Sequence, residues 1–340
     1  MLRDSVSSTH LASAPPREVF DAIAAALDAR VVGQFALKQR LLICLLCDGH
    51  VLVEGVPGLA KTTAVKTLAE LIEADFHRIQ FTPDLLPADI TGTEVFRAET
   101  GTFEFRPGPL FRSLVLADEI NRAPAKVQSA LLEAMEERQV SVGRATFALP
   151  ELFMVMATQN PIEQDGTYPL PEAQLDRFLL HVQVGYPAPD AEYAILQLAR
   201  EEAGRAASGE GARGRATAAA IASAQQVLAA RREVLAQHMA GALERYIVEL
   251  VLATRNPGAY DSHLVPLIQL GASPRASIGL DRAARAHAWL AGRDYVSPED
   301  IQAIAPDVLR HRVLLSYQAR ADGVGVNEIV ERLLARLPVP

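Results

Sequence analysis

The segment GVPGLAKTT, residues 55–63, constrains the fold more than any other stretch of the chain. It follows the short apolar run HVLVEG and precedes KTTAVKTLAELIEA, in which apolar residues recur at helical spacing. A strand, a glycine-containing loop and a helix in this order bind phosphate, because the free N–H groups and the positive dipole end of the helix attract anions. We therefore expect this loop to hold the phosphates of a nucleotide.

The loop departs at one position from the common pattern G-x-x-x-x-G-K-[ST]. Ala60 stands where the second glycine is usual, and Gly58 lies two residues earlier. The methyl group of Ala60 costs little if residue 60 has a right-handed backbone, and Gly58 then supplies the backbone freedom. We expect Lys61 to reach the β- and γ-phosphates and the Thr62 hydroxyl to bind Mg²⁺. The expected nucleotide contacts are Gly55, Val56, Pro57, Gly58, Leu59, Ala60, Lys61, Thr62 and Thr63.

A pair of acids ends the apolar run LVLADE. Acid pairs are common on protein surfaces, but a pair that follows a buried strand downstream of a phosphate loop is a specific signal. We expect Asp118 to hold the Mg²⁺ shell and Glu119 to polarise the attacking water as a general base.

Three further polar residues are candidates for the same chemistry. Asn160 ends the apolar run LFMVMATQN and can orient the water, or it is an ordinary turn residue. Arg177, in LDRF, can reach the γ-phosphate of a neighbouring subunit, or it is simply solvated or salt-bridged. Ser273 and Pro274 predict a helix start that places Arg275 in the first turn. There Arg275 can sense the γ-phosphate and couple hydrolysis to domain motion, or it lies on a solvated face.

The order of elements predicts an α/β core followed by helices. Strands separated by helices indicate a parallel sheet covered on both faces, and two stretches with central glycines read as β-hairpins. From Pro187 the chain becomes rich in Ala, Leu and Arg, which predicts an all-helical second domain with a flexible loop at 204–216. Cys44 and Cys47 lie in the apolar run LLICLLC, so we expect two buried core residues rather than a redox or zinc site.

Composition limits the function classes. The chain has 340 residues, of which 49% are hydrophobic and 22% charged, with a net charge of −8. This acidic balance makes the chain a poor candidate for strong non-specific DNA binding. No apolar run approaches the roughly 18 residues needed to cross a bilayer. The first residues also lack an apolar signal-peptide core, so we expect a cytoplasmic protein without membrane insertion.

The motifs GVPGLAKT, LADEINRAP, MATQNP and LPEAQLDRF together resemble the MoxR family of AAA+ ATPases. The resemblance covers nearly the whole chain after residue 16, and the motifs occur in the expected order. It implies a P-loop NTPase core of three αβα layers, with a parallel sheet of order 5-1-4-3-2, and a C-terminal helical lid. It also implies ring assembly, usually as a hexamer, with ATP and Mg²⁺ between subunits. The form G-x-P-G-x-A-K-T is normal in this family, so Ala60 is not a defect.

The resemblance also implies roles for individual residues. In the family pattern Lys61 and Thr62 belong to Walker A, Asp118 and Glu119 to Walker B, Asn160 to sensor 1, Arg177 to the arginine finger and Arg275 to sensor 2. The segment VVGQ resembles the one that packs on adenine, which adds Val32, Gly33 and Gln34 to the expected contacts.

The domain boundaries and the biological role follow from the same resemblance. We expect a disordered segment at 1–16, a nucleotide-binding domain at 17–186 with hairpin inserts near 93–107 and 138–150, and a displaced lid at 187–340. Such hairpins usually face the pore of the ring and touch the substrate. MoxR-type ATPases are thought to act as chaperones that mature partner complexes, often with a separate protein that carries a von Willebrand factor A domain. The alternatives are a magnesium-chelatase-like motor subunit, a nucleic-acid motor of the same clade and a non-catalytic, nucleotide-gated scaffold.

Overall fold

The computed structural model describes residues 14–56, 58–160, 166–207 and 220–340. The expected disorder at 1–16 falls mostly outside this set, and Pro16 instead begins the first helix. The expected flexible loop at 204–216 also falls largely outside the described residues.

A five-stranded sheet forms the centre of the first half of the chain. Its strands run in the order β2-β5-β8-β1-β9, and every neighbouring pair is parallel. Numbered among themselves along the chain, these strands have the order 5-1-4-3-2, which confirms the prediction. The bounds are β1 (Val51–Gly55), β2 (Phe76–Gln80), β5 (Leu114–Asp118), β8 (Met154–Gln159) and β9 (Leu180–Val184).

Helices cover both faces of this sheet. Alternate strand residues point to opposite faces, so Val51 and Val53 enter one apolar cluster while Leu52 enters the other. The first cluster includes α1 (Pro16–Arg30), α2 (Phe35–Leu46) and α3 (Lys61–Leu71), and the second includes α4 (Pro87–Thr91) and α5 (Ala125–Glu137). The predicted three-layer arrangement is therefore confirmed.

Two β-hairpins project from the core at the predicted positions. The first hairpin pairs β3 (Gly92–Arg97) with β4 (Thr102–Pro107), and the second pairs β6 (Gln139–Val142) with β7 (Ala145–Ala148). Their turns contain Gly101 and Gly143, whose φ angles of 67° and 61° favour glycine. The rings of Phe105 and Phe147 stack with centroids 3.9 Å apart, which joins the two hairpins.

The C-terminal half is mainly helical, and its apolar residues share the cluster that α1–α3 form against the sheet. The prediction of an all-helical domain is wrong in one detail, because β10 (Ile268–Leu270) and β11 (Leu314–Leu315) form a small antiparallel sheet. Strands this short show no alternation in the sequence. The helices of this half are α7 (Pro189–Ala207), α8 (Ala224–Leu235), α9 (Gly241–Arg255), α10 (Pro274–Leu290), α11 (Pro298–Leu309), α12 (Tyr317–Ala321) and α13 (Val326–Arg336). The short helix α6 (Glu172–Leu175) lies before them, between β8 and β9.

Cys44 lies on α2 and Cys47 is the residue that caps the end of this helix, and both are free and buried, as predicted. Burial raises the pKa of the Cys47 thiol to about 12, so the thiol stays protonated and unreactive at neutral pH. In the described part of the chain, no helix has both the length and the apolar character needed to cross a membrane.

Candidate active site

A cavity of about 390 Å³ lies at the carboxyl ends of the central strands. Ligands of open parallel sheets bind at this edge, because the loops that follow the strands converge there. The cavity combines the end of the phosphate loop with the residues that end β5 and β8. Its lining consists of Gly58, Leu59, Ala60, Lys61, Thr62, Thr63, Arg78, Asp118, Glu119, Thr158, Gln159 and Asn160.

The backbone of the loop differs from the sequence-based expectation at Ala60. This residue has φ 54° and ψ 18°, so it is left-handed rather than right-handed, and it forms the N-cap of α3. A left-handed conformation costs alanine roughly 1–2 kcal/mol, which the surrounding fold must offset. Gly58 also has a positive φ, of 85°, and a Cβ added there would meet nothing within 4 Å. Both residues thus hold the backbone in an unusual shape, and the space beside Gly58 is open for a ligand.

Gly55 and Lys61 fix the base of the loop. A Cβ at Gly55 would lie 2.6 Å from the carbonyl oxygen of Val184, so only glycine lets β1 pack this closely against β9. The Lys61 ammonium donates a hydrogen bond to the carbonyl oxygen of Gly55 at 2.7 Å. Burial lowers the pKa of Lys61, while the nearby Asp118 and Glu119 oppose this shift. Pro57 lies outside the described residues.

Both carboxylate oxygens of Asp118 have partners. Oδ1 accepts a hydrogen bond from the Thr158 hydroxyl at 2.6 Å. Oδ2 accepts from Nε of Arg78 at 3.0 Å and from its Nη2 at 2.6 Å. A strand-end carboxylate is thus fixed by one neutral donor from β8 and one guanidinium from β2.

Glu119 is held by neighbours on three sides. Its backbone N–H donates to the Thr158 hydroxyl at 2.9 Å, and its φ of 58° is left-handed. Its Oε2 accepts from Gln80 at 2.8 Å and lies 3.1 Å from Nε of Arg122. Strained backbone of this kind is concentrated at functional sites, where it aims a side chain.

Arg78, Gln80 and Thr158 were missed by the sequence reasoning. In β2, the run FHRIQ buries only Ile79 well, so Arg78 and Gln80 share the opposite face. The register pairs Gln80 with Asp118, which places the Arg78 and Gln80 side chains beside the acids. The predicted strand order, which puts β2 next to β5, was the signal that would have found them.

The other predicted contacts of the nucleotide lie at or near this cavity. Asn160 follows β8 and is buried against the cavity wall. Gln34 donates from Nε2 to the carbonyl oxygen of Gly185 at 3.1 Å. Gly185 directly follows Val184, the last residue of β9, which pairs with Gly55. The segment of Val32, Gly33 and Gln34 therefore lies close to the start of the phosphate loop, and Gly33 and Gln34 take left-handed backbone there.

Arg177 and Arg275 do not line this cavity. They line a second cavity, also of about 390 Å³, near Gly49 and Leu179. These two residues precede β1 and β9, so the second cavity lies at the amino ends of the strands, opposite the first. We call this second space the arginine cavity. The lining includes Arg138, Arg177, Arg275, Arg282 and Arg312, with Asp48, Glu136 and Asp176 as its acids.

Glu136 joins the two arginines that the sequence singled out. Its Oε2 lies 2.8 Å from Nη2 of Arg177, and its Oε1 accepts from Nη2 of Arg275. Ser273 caps the helix of Arg275, as predicted, and its hydroxyl also donates to Asp176 at 2.8 Å. One carboxylate of α5 thus brings an arginine beside α6 together with an arginine at the start of α10.

The comparisons with known proteins agree with this geometry. Residues 50–180 match the family model described as "ATPase family associated with various cellular activities (AAA)", and residues 262–333 match the model of the AAA lid domain. The chain is 47% identical over 311 residues to the protein named Chaperone MoxR1 of Mycobacterium tuberculosis, an alignment that covers 91% of this chain and 79% of that protein. This chain belongs to the MoxR family of AAA+ ATPases.

Further relatives support the same family. Protein MoxR of Paracoccus denitrificans is 36% identical, over 93% of this chain and 95% of its own. The crystal structure of a candidate ATPase from Cytophaga hutchinsonii has a TM-score of 0.86 and 43% identity, and the match covers 98% of this chain and 97% of that one. A magnesium-chelatase subunit ChlI of Glycine max is more distant, at 26% identity over 83% of this chain and 73% of its own.

The residues of the cavity fit a nucleotide with Mg²⁺. The Thr62 hydroxyl and the Asp118 carboxylate are the oxygen donors that Mg²⁺ prefers, and such sites use few protein ligands because phosphates complete the shell. The N-terminus of α3 and the half-buried Lys61 face the same space and suit anionic phosphates.

Proposed function

We propose that this MoxR-family protein binds ATP with Mg²⁺ in the phosphate-loop cavity and hydrolyses it to ADP and phosphate. The observation that carries the proposal is that a single cavity contains Lys61, Thr62, Asp118, Glu119 and Asn160. Lys61 and Thr62 begin α3, and the other three end or follow β5 and β8. Together they supply the charge, the metal ligands and the base that phosphoryl transfer to water needs.

Each residue has a defined task in the proposed step. Lys61 leaves the carbonyl of Gly55 and holds the β- and γ-phosphates, while Thr62 and Asp118 hold the metal. Bound Mg²⁺ neutralises the negative charge of these phosphates. Glu119 takes the proton of the attacking water, and the amide of Asn160 orients that water.

The partners of Glu119 bear on when this step occurs. Oε2 of Glu119 already accepts from Gln80 and lies beside Arg122. These two donors occupy the lone pairs of Oε2 that would otherwise accept the proton of the water. Release of Gln80 therefore has to precede proton transfer to Oε2.

We propose that hydrolysis requires a second copy of the chain in a ring, usually a hexamer in this family. Arg177 and Arg275 line a cavity at the far edge of the sheet from Lys61, so neither is placed to act on the nucleotide of its own subunit. In a ring, the arginine cavity of one subunit can face the phosphate-loop cavity of the next. Arg177 then stabilises charge on the γ-phosphate, and Arg275 joins it from the lid.

The hairpins suit contact with a client protein. Phe96 and Phe103 are 56% and 68% exposed at the first hairpin, and their ring centroids lie 5.2 Å apart. Exposed aromatic side chains of this kind mark sites that bind other molecules. We propose that the ring uses them to remodel or mature a partner complex, together with a protein that has a von Willebrand factor A domain. The dependence on ATP favours the cytoplasm as the compartment.

A nucleic-acid motor is less consistent with the same surface. Arg97 is ion-paired with Glu104 across the first hairpin, so its charge is balanced locally. A magnesium-chelatase-like motor remains the second candidate because of the ChlI relative, but the identity to that protein is much lower than to Chaperone MoxR1. Strong stimulation of ATP turnover by single-stranded DNA would favour the nucleic-acid motor and contradict the chaperone proposal.

The test of the hydrolysis proposal is the variant Glu119→Gln. We expect turnover to fall by about 10²- to 10⁴-fold, the usual contribution of a general base, while ATP binding is retained. Phosphate release and equilibrium binding of a fluorescent ATP analogue measure the two quantities separately. Glu331→Gln, an exposed change on α13, is the matched control and should leave both unchanged.

Wild-type turnover that survives in Glu119→Gln would show that another group acts as the base. The same variant, loaded with ATP, is also the reagent for capturing clients, since a ring that binds but does not hydrolyse ATP holds its partners longer. A von Willebrand factor A protein among the captured partners would support that part of the proposal.

A further inference from the structure

Arg78 lines the phosphate-loop cavity but belongs to none of the motifs that identify the family. Its side chain is 48% exposed, whereas that of its partner Asp118 is 15% exposed. Nε and Nη2 of Arg78 both donate to the same oxygen, Oδ2 of Asp118. A guanidinium therefore sits on the carboxylate that the proposed function assigns to the metal.

The two oxygens of Asp118 are bound by donors of different kinds. The Thr158 hydroxyl on Oδ1 is neutral and also accepts from the backbone of Glu119, so it positions the strand end. Arg78 on Oδ2 is a cation and neutralises the carboxylate. Two cations compete for one carboxylate, because binding of either cation weakens the attraction of the carboxylate for the other.

The surroundings of Arg78 allow it to leave. β2 is the edge strand of the sheet, and its backbone is held by the register with β5, so only the side chain has to move. The other partner of Nη2 is Oε1 of Gln80 at 2.8 Å, and Gln80 in turn donates to Glu119. Departure of Arg78 thus removes one of the contacts that hold Gln80 on the general base.

We propose that Arg78 is an internal competitor of Mg²⁺ at Asp118. Arg78 holds the carboxylate in the absence of the metal and must leave Oδ2 before Asp118 can enter the metal shell. The inference rests on the proposed nucleotide site. It assigns Arg78 as a positioning residue that sets how much Mg²⁺ the site needs.

The test is Mg²⁺-dependent binding of a fluorescent ADP analogue, a readout that requires no turnover. For Arg78→Gln, we expect the Mg²⁺ concentration at half-saturation to fall about two- to fivefold, as suits the loss of a half-exposed ion pair. Arg78→Lys keeps the charge but loses the fork of donors, so its value should lie between those of the wild type and Arg78→Gln.

Arg112→Gln is the matched control. Arg112 pairs with Asp75 at 3.0 Å just before the same two strands, and its side chain is about as exposed as that of Arg78, although Asp75 is more exposed than Asp118. It should leave the Mg²⁺ dependence unchanged. A half-saturation in Arg78→Gln that is equal to or above that of the wild type would overturn the competition. Failure of the wild type to bind the analogue at any Mg²⁺ concentration would overturn the proposed function and this inference together.

Discussion

The phosphate-loop cavity and the arginine cavity lie at opposite edges of one sheet, and their charges differ. In the first, Lys61 and Arg78 face Asp118 and Glu119, so cations and acids are balanced. In the second, five arginines share three acids, which leaves an excess of positive charge. In the proposed function the first cavity supplies Lys61, the metal ligands and the general base, and the second supplies further cations for the γ-phosphate of a neighbouring subunit. On our proposal, each cavity is half of a site that two copies of the chain complete.

The largest test of this comparison is Arg177→Ala. We expect ATP turnover to fall by about 10³-fold or more, because an arginine supplied from a neighbour stabilises charge in the transition state. Binding of ATP should persist, since Arg177 lies outside the phosphate-loop cavity. Steady-state phosphate release and analogue binding measure the two effects.

A mixture of two inactive variants tests whether the two cavities act from different subunits. Arg177→Ala subunits keep an intact phosphate-loop cavity, and Lys61→Ala subunits keep an intact arginine cavity. A mixture of two inactive variants should regain turnover, because some interfaces then pair the intact halves. No recovery in the mixture would break the idea that the halves come from different subunits.

A smaller effect concerns His50, which lies under the arginine cavity. Its Nδ1 accepts from the N–H of Val155, its Nε2 faces the carbonyl of Met135 at 3.2 Å, and burial lowers its pKa to about 3. The unfolded chain binds a proton at His50 below its ordinary pKa of about 6.5, whereas the folded chain does not. Stability should therefore fall as the pH drops from about 6.5 towards 3, by up to about 1.4 kcal/mol per pH unit from this group.

The measurement for His50 is the free energy of unfolding against pH in the wild type and in His50→Gln. The slope between pH 6 and pH 4 should be shallower in the variant. His311, which is also buried with a lowered pKa, remains in both proteins and cancels in the comparison. Identical slopes would mean that His50 takes up its proton in the folded protein as it does in the unfolded chain, and that water reaches its buried ring.

The smallest expected effect is that of Glu136→Gln. Glu136 bridges Arg177 and Arg275, but all three side chains are about a third or more exposed, so the bridge should contribute no more than about 1 kcal/mol. Thermal unfolding should show only a slight decrease in the midpoint. A large loss of stability would show that Glu136 fixes the lid on the core rather than simply balancing charge.

Local patterns in the sequence predicted the parallel sheet, both hairpins, and the loop and strand-end residues Lys61, Asp118 and Asn160, whereas the strand order was implied by the resemblance to the family. The left-handed backbone of Ala60 was not predictable, since nothing in an alanine signals it and the surrounding fold imposes it. The roles of Arg78 and Gln80 depend on the pairing of β2 with β5, and the meeting of Arg177 with Arg275 depends on Glu136 of another helix. These are tertiary contacts between residues far apart in the chain.

The stacked rings of Phe105 and Phe147 have a mechanical consequence. The first hairpin leads into β5, which ends in Asp118, and the second leads into β8, which is followed by Asn160. Because the Phe105 and Phe147 rings hold the two hairpins together, we expect a force applied to either hairpin to reach both strands. In the proposed function, a client that pulls on the hairpins would strain Asp118 and Asn160 together, so hydrolysis would respond to tension on either hairpin.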